Sequence, residues 1–285
     1  MKTAGQERTA LITGASSGIG LELTRKLLSE GWQVIALNRS GFAQDDVRIE
    51  DALSRKQLRV YTADLADFDS LRQALARLKA AEEKVDLLFN NAGGSFPTLT
   101  FSKQGRELHF ELQTVVPYIL LMELTELLKR GNLKTVINTS SNAFKFVKRW
   151  DPDTLERPAT FKKLFGPYAT TKLALSLWTQ ELGPRVASEG IKVLSVDPGG
   201  NNTLRRGKDS GLPLPVELVM KLFFPHPSRG ASLLYDAAVG ARGGPSGAYV
   251  TNGAPKELPF TEHGPRVLEK VSDIYAREFA APHSA

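Results

Sequence analysis

Short apolar runs alternate with longer amphipathic stretches along most of the chain. The apolar runs are typical of buried strands, and they cover Thr9–Thr13, Gln33–Leu37, Leu58–Thr62, Val85–Phe89, Lys134–Thr139, Lys192–Val196 and Ala248–Val250. Helical periodicity appears between them, as in Leu21–Ser29, Ser70–Ala81, Arg106–Leu128 and Tyr168–Ala187. Alternating strands and helices form a parallel sheet with helices on both faces. The pattern therefore predicts an α/β fold with one doubly wound sheet of about seven strands.

A glycine-rich turn joins the first predicted strand to the first predicted helix. Gly14, Gly18 and Gly20 follow the spacing Gly-x-x-x-Gly-x-Gly. Glycine lets the backbone turn sharply and brings a phosphate close to the N–H groups at a helix N-terminus. This spacing differs from the commoner Gly-x-Gly-x-x-Gly, but the mechanical roles are similar. We therefore predict a pyrophosphate cradle, for which a purely structural turn is the alternative.

The residues after the second predicted strand bear on the choice of nucleotide. An acidic residue at this place would bind the ribose 2′-hydroxyl of NAD, but the chain has Asn38-Arg39-Ser40 instead. A guanidinium group can pair with a 2′-phosphate in a two-pronged geometry. The sequence therefore predicts NADP(H) rather than NAD(H). A solvated charge at a strand end is the alternative for Arg39.

Tyr168 and Lys172 lie four residues apart at the start of a long predicted helix. Residues with this spacing share one helix face, so the ammonium group of Lys172 can approach the phenol of Tyr168. A nearby cation favours phenolate and lowers a side-chain pKa that is normally about 10. We therefore expect Tyr168 to act as an acid or base near neutral pH. A surface aromatic beside a surface lysine is the alternative for the pair taken alone.

Composition narrows the function without defining it. With 285 residues and 41% apolar content, the chain can form one sizeable core, and we expect a single domain over residues 1–285. The absence of cysteine excludes disulfides, thiolate zinc sites and a cysteine nucleophile. The four histidines, His109, His226, His263 and His283, show no paired ligand spacing, so we expect no metal site.

The distribution of apolar and basic residues bears on location and partners. No apolar run approaches the length of a membrane span and the first eight residues are polar, so we expect a soluble, cytoplasmic protein. The net charge is +6 with a calculated pI of about 9.4, but the charges are scattered. We therefore do not expect a nucleic-acid partner. A homo-oligomer is compatible with the sequence.

Five motifs occur in the order seen in one enzyme family. They are Thr13-Gly14-Ala15-Ser16-Ser17-Gly18-Ile19-Gly20, Asn90-Asn91-Ala92-Gly93, Ser140-Ser141, Tyr168-x-x-x-Lys172 and Asp197-Pro198-Gly199. As a set they resemble the short-chain dehydrogenases/reductases. The insert between Ser141 and Tyr168, with Glu107-Leu108-His109-Phe110, resembles the retinol-dehydrogenase-like and protochlorophyllide-reductase-like branch. The resemblance implies a Rossmann-type oxidoreductase that transfers a hydride between NADP(H) and a small-molecule carbonyl or alcohol.

The resemblance also implies which residues bind the nucleotide. They are Gly14, Ser16, Ser17, Gly18, Ile19, Gly20, Asn38, Arg39, Asp64, Leu65, Asn91, Ala92, Gly93, Tyr168, Lys172, Pro198, Gly199 and Thr203. Asp64 would accept a hydrogen bond from the adenine amine, and a helix N-cap is the alternative role. Pro198, Gly199 and Thr203 would line the nicotinamide and its phosphate, for which an ordinary Pro-Gly turn is the alternative.

The same resemblance implies a catalytic group. Ser141 would polarise the carbonyl, Tyr168 would protonate its oxygen, and Lys172 would lower the pKa of Tyr168 and bind the nicotinamide ribose. Ser140 competes with Ser141, but the second serine matches the family. Relatives usually carry an asparagine where this chain has Gln113, so the proton relay is either kept by the longer amide or altered. A non-catalytic NADP-sensing interaction module of the same fold is the alternative function.

Segments near 142–167 and 204–227 are the expected walls of the substrate cleft. Their apolar residues suggest a bulky apolar substrate, although core packing is the favoured role for each one taken singly: Phe144, Phe146, Trp150, Phe161, Phe165, Leu212, Leu214, Leu222, Phe223 and Phe224. Their basic residues are compatible with an anionic substrate or a solvated face: Lys145, Lys148, Arg149, Arg205, Arg206 and Lys208.

Overall fold

One sheet organises the molecule. The computed structural model describes residues 7–204, 212, 214–240 and 243–281. The strands in this part are β1 (Thr9–Thr13), β2 (Gln33–Asn38), β3 (Leu58–Thr62), β4 (Leu87–Asn90), β5 (Thr135–Thr139), β6 (Lys192–Asp197), β7 (Tyr249–Thr251) and β8 (Ala254–Lys256). They lie in the order β3-β2-β1-β4-β5-β6-β7-β8. All neighbours are parallel except β7 and β8, which confirms the predicted α/β fold.

Helices cover both faces of the sheet. They are α1 (Gly18–Ser29), α2 (Val47–Ser54), α3 (Phe68–Ala81), α4 (Leu108–Phe110), α5 (Val116–Arg130), α6 (Pro167–Ala187), α7 (Leu214–Phe223), α8 (Pro227–Val239) and α9 (Gly264–Ile274). A π-helical turn, Glu111–Val115, joins α4 to α5, and a second one, Tyr275–Phe279, follows α9. Apolar residues of α1, α2 and α8 pack on one face, and those of α3, α5, α6 and α9 pack on the other.

The strand pattern explains this two-sided core. Ala10 and Ile12 of β1 are buried on the α1 and α8 face, whereas Leu11 between them is buried on the α5 and α6 face. Successive side chains of a strand point to opposite faces. A sheet covered on both faces therefore needs continuous apolar strands rather than alternating ones, as in the Thr-Ala-Leu-Ile-Thr run of β1.

The strand order reverses at β1, which pairs with β2 on one side and with β4 on the other. In open parallel sheets, ligands bind beyond the carboxyl ends of the strands at this switch point. The glycine-rich turn follows β1, the Asn91 loop follows β4, and Ser140-Ser141 follow β5. The motifs found in the sequence therefore meet at one edge of the sheet.

Two elements differ from the sequence prediction. The expected helix over Arg106–Leu128 begins at Leu108, where the Glu107 carboxylate caps the Phe110 N–H, and its course is interrupted by the first π-helical turn. The eighth strand was not predicted. It forms a hairpin with β7 through Asn252 and Gly253, whose φ values of 52° and 73° fit the turn favoured by Asn-Gly. That dipeptide could have predicted the hairpin.

Within the described ranges, no helix combines the length and apolar character needed to cross a bilayer. The same part of the chain contains no group of three or more His, Cys, Asp or Glu side chains that could hold a metal ion.

Candidate nucleotide and catalytic site

The glycine-rich turn is too tight for other side chains. Gly14 and Gly18 have φ values of +67° and +55°, in the left-handed region that favours glycine. A Cβ atom on Gly20 would lie only 2.1 Å from the Gly14 carbonyl oxygen, and one on Gly14 would lie 3.0 Å from the Ala92 Cα. The turn opens into the N-terminus of α1, whose first turn carries no acidic residue. These features leave space and unopposed helix-dipole charge for a phosphate.

Polar side chains brace this turn from the neighbouring strands. The Asn38 side-chain oxygen accepts a hydrogen bond from the Ala15 N–H at 2.7 Å, and the Asn91 amide donates to the Thr13 carbonyl at 3.2 Å. The Thr13 hydroxyl in turn accepts from the Ala92 N–H at 2.9 Å. Asn38 is 2% exposed, so its side chain faces the turn and not the expected ribose position.

Arg39 and Asp64 follow neighbouring strands at the edge of the sheet. Arg39 is exposed and makes no hydrogen bond or ion pair with any described residue. Asp64 is also exposed, and its carboxylate accepts only from the nearby Ala66 N–H, at 3.0 Å. The N-cap of α3 is Asp67, so the capping role considered for Asp64 is wrong. The side chain of Leu65 belongs to the core, which leaves its backbone for any ligand contact.

The loop after β6 is held by two buried polar residues. The Asp197 carboxylate accepts from the Gly199 N–H at 2.9 Å and from the Thr251 hydroxyl at 2.9 Å. Asn201, 5% exposed, donates to the Pro198 carbonyl and accepts from the Gly230 N–H, both at 2.9 Å. Sequence reasoning missed Asn201, because its partner Gly230 lies in a distant helix.

The same loop brings Thr203 to the glycine-rich turn. The Thr203 methyl group lies 3.5 Å from the position of a Cβ atom on Gly18. Thr203 is exposed, so its hydroxyl is accessible beside the N-terminus of α1. Residues 18 and 203, far apart in the chain, are therefore neighbours in the fold.

The two serines after β5 have different surroundings. Ser140 is 2% exposed and its hydroxyl bonds with the Ser176 hydroxyl at 2.7 Å. The Ser141 hydroxyl accepts from the Ala143 N–H at 3.2 Å, and it lowers the pKa of the nearby Tyr168 phenol. Ser141 therefore lies near the Tyr168 phenol, whereas the Ser140 hydrogen bond links the end of β5 to α6.

Burial, rather than the charge of Lys172, dominates the pKa of Tyr168 in this structure. The Lys172 ammonium donates to the Thr139 carbonyl at 2.5 Å, and burial lowers its pKa to about 7. Burial raises the pKa of Tyr168, and the nearby Asp197 carboxylate raises it further, although Ser141 acts in the opposite direction. A lysine that loses its charge near neutral pH cannot favour a phenolate that forms only at high pH. Tyr168 is therefore a protonated phenol at neutral pH.

Gln113 lies in the first π-helical turn and is 1% exposed. Its side-chain amide donates to the Gly94 carbonyl at 3.0 Å, and its carbonyl oxygen is buried with no partner among the described residues. A Cβ atom on Gly93 would lie 2.8 Å from the Gln113 Cγ, so the loop and the side chain are closely packed. Gln113 thus fastens the loop after β4, and its free oxygen could accept a hydrogen bond from a water molecule.

The aromatic residues of the first cleft segment divide between core and surface. Phe144 is 1% exposed and Trp150 packs against the core, as favoured for each. Phe146 and Phe165 are 68% and 41% exposed and contact each other edge to face, with ring centroids 5.3 Å apart. Core packing is therefore wrong for this second pair.

The second cleft segment is described only in part. Arg205, Arg206 and Lys208 lie outside the described residues. In α7, Leu214, Leu222 and Phe223 are exposed, so core packing is wrong for them too.

Comparisons with known proteins assign this chain to one family. The short chain dehydrogenase family model matches residues 8–150. Human polyprenol dehydrogenase is 30% identical over 86% of this chain and 77% of its own length. Mouse retinol dehydrogenase 12 is 32% identical over 67% of this chain and 61% of its own length. The chain therefore belongs to the short-chain dehydrogenase/reductase family of oxidoreductases, in the retinol-dehydrogenase-like branch.

Solved structures share the fold at lower identity. Carbonyl reductase from chicken fatty liver, with bound NADPH, has a TM-score of 0.60 and 20% identity over 89% of this chain and all of its own (100%). A Brucella ovis oxidoreductase of the same family, with partially ordered NAD, has a TM-score of 0.57 and 24% identity over 86% of this chain and 99% of its own. Both nucleotides therefore occur among proteins with this fold.

Proposed function

We propose that the chain is an NADP(H)-dependent reductase of bulky apolar carbonyl compounds, with Tyr168 as the general acid. The observation that carries this proposal is the position of Ser141 near the Tyr168 phenol, where it lowers the pKa of that phenol, at the sheet edge that also bears the glycine-rich turn. A protonated phenol beside a second hydroxyl suits a reaction in which a carbonyl oxygen gains a proton.

The residues present fit a dinucleotide. The cradle formed by Gly14, Gly18 and Gly20 would be filled by any Cβ atom, and the helix N-terminus behind it favours a pyrophosphate. Gly199 has a φ value of +72° and no atom within 4 Å of its Cβ position, so a flat ring could approach the backbone there. We assign the remaining contacts to Ser16, Ser17, Ile19, Asp64, Asn91, Ala92, Gly93, Pro198 and Thr203, with Asn38 as a brace of the turn.

The chemistry that the bound nucleotide supplies is hydride transfer to the carbonyl carbon. Ser141 would donate a hydrogen bond to the carbonyl oxygen and polarise it. Tyr168 would then give its phenolic proton to that oxygen, so that the carbonyl becomes an alcohol. Lys172, anchored on the Thr139 carbonyl, would hold the ribose of the nicotinamide half. Gln113 would keep the neighbouring loop in place and position a water through its free carbonyl oxygen.

The preference for NADP(H) rests on Arg39. Its guanidinium group is exposed beyond the carboxyl end of β2, without a partner among the described residues, where a 2′-phosphate would lie. The bulky apolar substrate rests on the exposed Phe146, Phe165 and α7 residues around the cleft. Two similar proteins are called retinol dehydrogenase and polyprenol dehydrogenase, and these names point to the same substrate class.

The first test combines nucleotide binding with turnover. NADPH and NADH are titrated against the protein, and NADPH oxidation is followed with a panel of aldehydes, ketones and quinones. We expect Tyr168→Phe to keep the Kd for NADPH and to lower kcat by about 10²- to 10⁴-fold. Tyr275→Phe is the matched control, because this tyrosine bonds Glu123 away from the site.

The opposite results separate the alternatives. Turnover that survives in Tyr168→Phe would remove the general acid role. NADPH binding without turnover of any panel member would instead favour the non-catalytic sensing module. Gln113→Asn, which restores the asparagine usual in relatives, would then test whether this residue is the cause of the missing turnover. Equal affinity for NADH and NADPH would overturn the nucleotide preference.

A further inference from the structure

A buried hydrogen-bonded histidine lies beside Tyr168, and the proposed reaction does not use it. His109 is 1% exposed, and its ring lies edge to face with the Tyr168 ring at a centroid distance of 6.1 Å. The same imidazole contacts Phe96 at 4.6 Å and Phe161 at 6.4 Å between centroids. His109 therefore links the Tyr168 ring to the rings of Phe96 and Phe161.

The imidazole is fixed at both nitrogens. Its Nε2 accepts a hydrogen bond from the Phe96 N–H at 3.0 Å, so the proton of the neutral ring is on Nδ1. The protonated Nδ1 donates a hydrogen bond to Oε1 of Glu107, with 2.6 Å between the two atoms. The other Glu107 oxygen accepts from the Phe110 N–H at 3.0 Å, which fixes the carboxylate on the helix end. The orientation of the ring is therefore set by the start of α4.

The same helix face holds the loop after β4 at a second point. Gln113 is four residues beyond His109 and bonds the Gly94 carbonyl, two residues before Phe96. Gly93 and Gly94 have φ values of 141° and 158°, which glycine adopts readily and other residues rarely do. A loop with two adjacent glycines has little rigidity of its own. The side chains of His109 and Gln113 therefore set the position of Phe96.

Phe96 and Phe161 are both partly exposed, whereas His109 behind them is buried. We propose that His109 is a positioning residue that holds Phe96 and Phe161 as an aromatic wall beside Tyr168, and that this wall selects flat, bulky apolar carbonyl substrates. The inference rests on the proposed reductase function and names the surface that would receive its substrate. A rigid wall gains affinity because less conformational entropy is lost when the substrate binds.

Two amide variants separate the hydrogen bonds of His109. In His109→Gln, the side-chain oxygen can occupy the place of Nε2 and accept from Phe96, but the donor to Glu107 moves. In His109→Asn, the amide nitrogen can occupy the place of Nδ1 and donate to Glu107, but the acceptor for Phe96 is lost. Both variants lose the imidazole ring, so a difference between them reports the bond to Phe96.

The first readout is a pair of aldehydes, naphthaldehyde and propanal, reduced with NADPH. We expect His109→Asn, Phe96→Ala and Phe161→Ala to raise KM for naphthaldehyde about tenfold, with kcat and the propanal kinetics unchanged. His109→Gln should remain near the wild type. Leu133→Ala, at an exposed apolar residue just before the amino end of β5, is the control and should change the kinetics of neither aldehyde. Equal changes for both aldehydes, or equal behaviour of the Asn and Gln variants, would overturn the proposal.

A second readout does not need turnover. Hydrogen exchange of the Phe96 amide should be slow in the wild type and in His109→Gln and at least tenfold faster in His109→Asn, at equal thermal midpoints. Calorimetry should show the matching loss of naphthaldehyde affinity in the NADPH-bound protein. If the wild type binds naphthaldehyde but reduces no aldehyde, the proposed reductase function is wrong, whereas the aromatic wall is supported as a binding surface. If the Phe96 amide exchanges alike in both variants, the wall fails.

Discussion

Burial of single charged groups decides the chemistry of this site. Lys172 and Tyr168 are the clearest example, because each is driven toward its neutral form and away from the ion pair expected from their spacing. The Lys172 ammonium keeps one hydrogen bond, to the Thr139 carbonyl, and no carboxylate compensates the lost hydration. Near neutral pH, Tyr168 is therefore a neutral phenol and Lys172 is only partly protonated in this structure.

The low pKa of Lys172 predicts a pH-dependent stability. Between the folded value of about 7 and the ordinary value of 10.5, the unfolded chain binds more protons than the folded one. The free energy of unfolding should therefore rise with pH over this range, by at most about 1.4 kcal/mol per pH unit. Urea unfolding at several pH values should show this slope in the wild type and a flatter one in Lys172→Met. Lys145→Met, at an exposed lysine, should keep the slope, and an equal slope in both variants would contradict the assignment.

The choice between NADPH and NADH should depend on the single side chain of Arg39. We expect Arg39→Ala to weaken NADPH binding at least tenfold and to leave NADH binding unchanged, because only the 2′-phosphate loses a charged hydrogen bond. Fluorescence titration measures both affinities. Arg55→Ala, at the far end of α2, removes the same charge and should change neither. Equal weakening of both nucleotides would show that Arg39 acts through structure.

At the scale of elements, the β1–α1 turn shows how backbone geometry makes a binding site. Gly20 has no room for a side chain, since a Cβ atom would lie 2.1 Å from the Gly14 carbonyl oxygen. Gly41 has nothing within 4 Å and an ordinary φ value. We expect Gly20→Ala to cost about 1–3 kcal/mol in unfolding free energy and to abolish NADPH binding. Gly41→Ala should change neither quantity, and a Gly20→Ala variant that binds normally would contradict the cradle.

The α4 region shows what a pattern of apolar residues cannot predict. Its periodicity predicts one helix, and the chain indeed runs helically from Leu108 to Arg130. His109 lies just before the π-helical turn and Gln113 within it, and both side chains bond the loop after β4. Their partners are backbone groups, which carry no signature in the sequence.

At the scale of the whole molecule, a buried ion pair ties the C-terminal turn to the α4 region. Arg106 is 4% exposed and lies between Glu111, which is fully buried, and Glu278. Arg106 bonds Oε2 of Glu111 at 2.7 Å and both Glu278 oxygens at 2.7 Å. Burial raises the pKa of Glu111 even beside this arginine, so its charge depends on the pair.

Removing that arginine should therefore destabilise the whole fold. We expect Arg106→Met to lower the unfolding free energy by about 3–5 kcal/mol, because a buried carboxylate loses its partner. Denaturant unfolding measures the change. Lys103→Met, which removes a surface ion pair with Asp67, should leave the stability nearly unchanged because water screens that pair. A small loss in Arg106→Met would show that Glu111 is readily neutralised.

Seven of the eight strands in the described part of the chain, and the position of each motif after a strand or at a helix start, are predictable from the residues alone. Apolar runs specify buried strands, and the glycine spacing specifies a turn, because both are local consequences of side-chain size and polarity. The bounds of β1 and β3 agree with the expected ones, and the motif residues lie at one edge because parallel strands end there.

The surroundings of those residues depend on how distant parts of the chain pack together. The lowered pKa of Lys172, the inward direction of Asn38 and the hydrogen bond of Asn201 to Gly230 depend on contacts between residues distant in the chain. The same holds for His109, which sequence reasoning noted only as part of a motif. Burial and hydrogen bonding are set when separate elements pack, so spacing along one helix or strand cannot predict them.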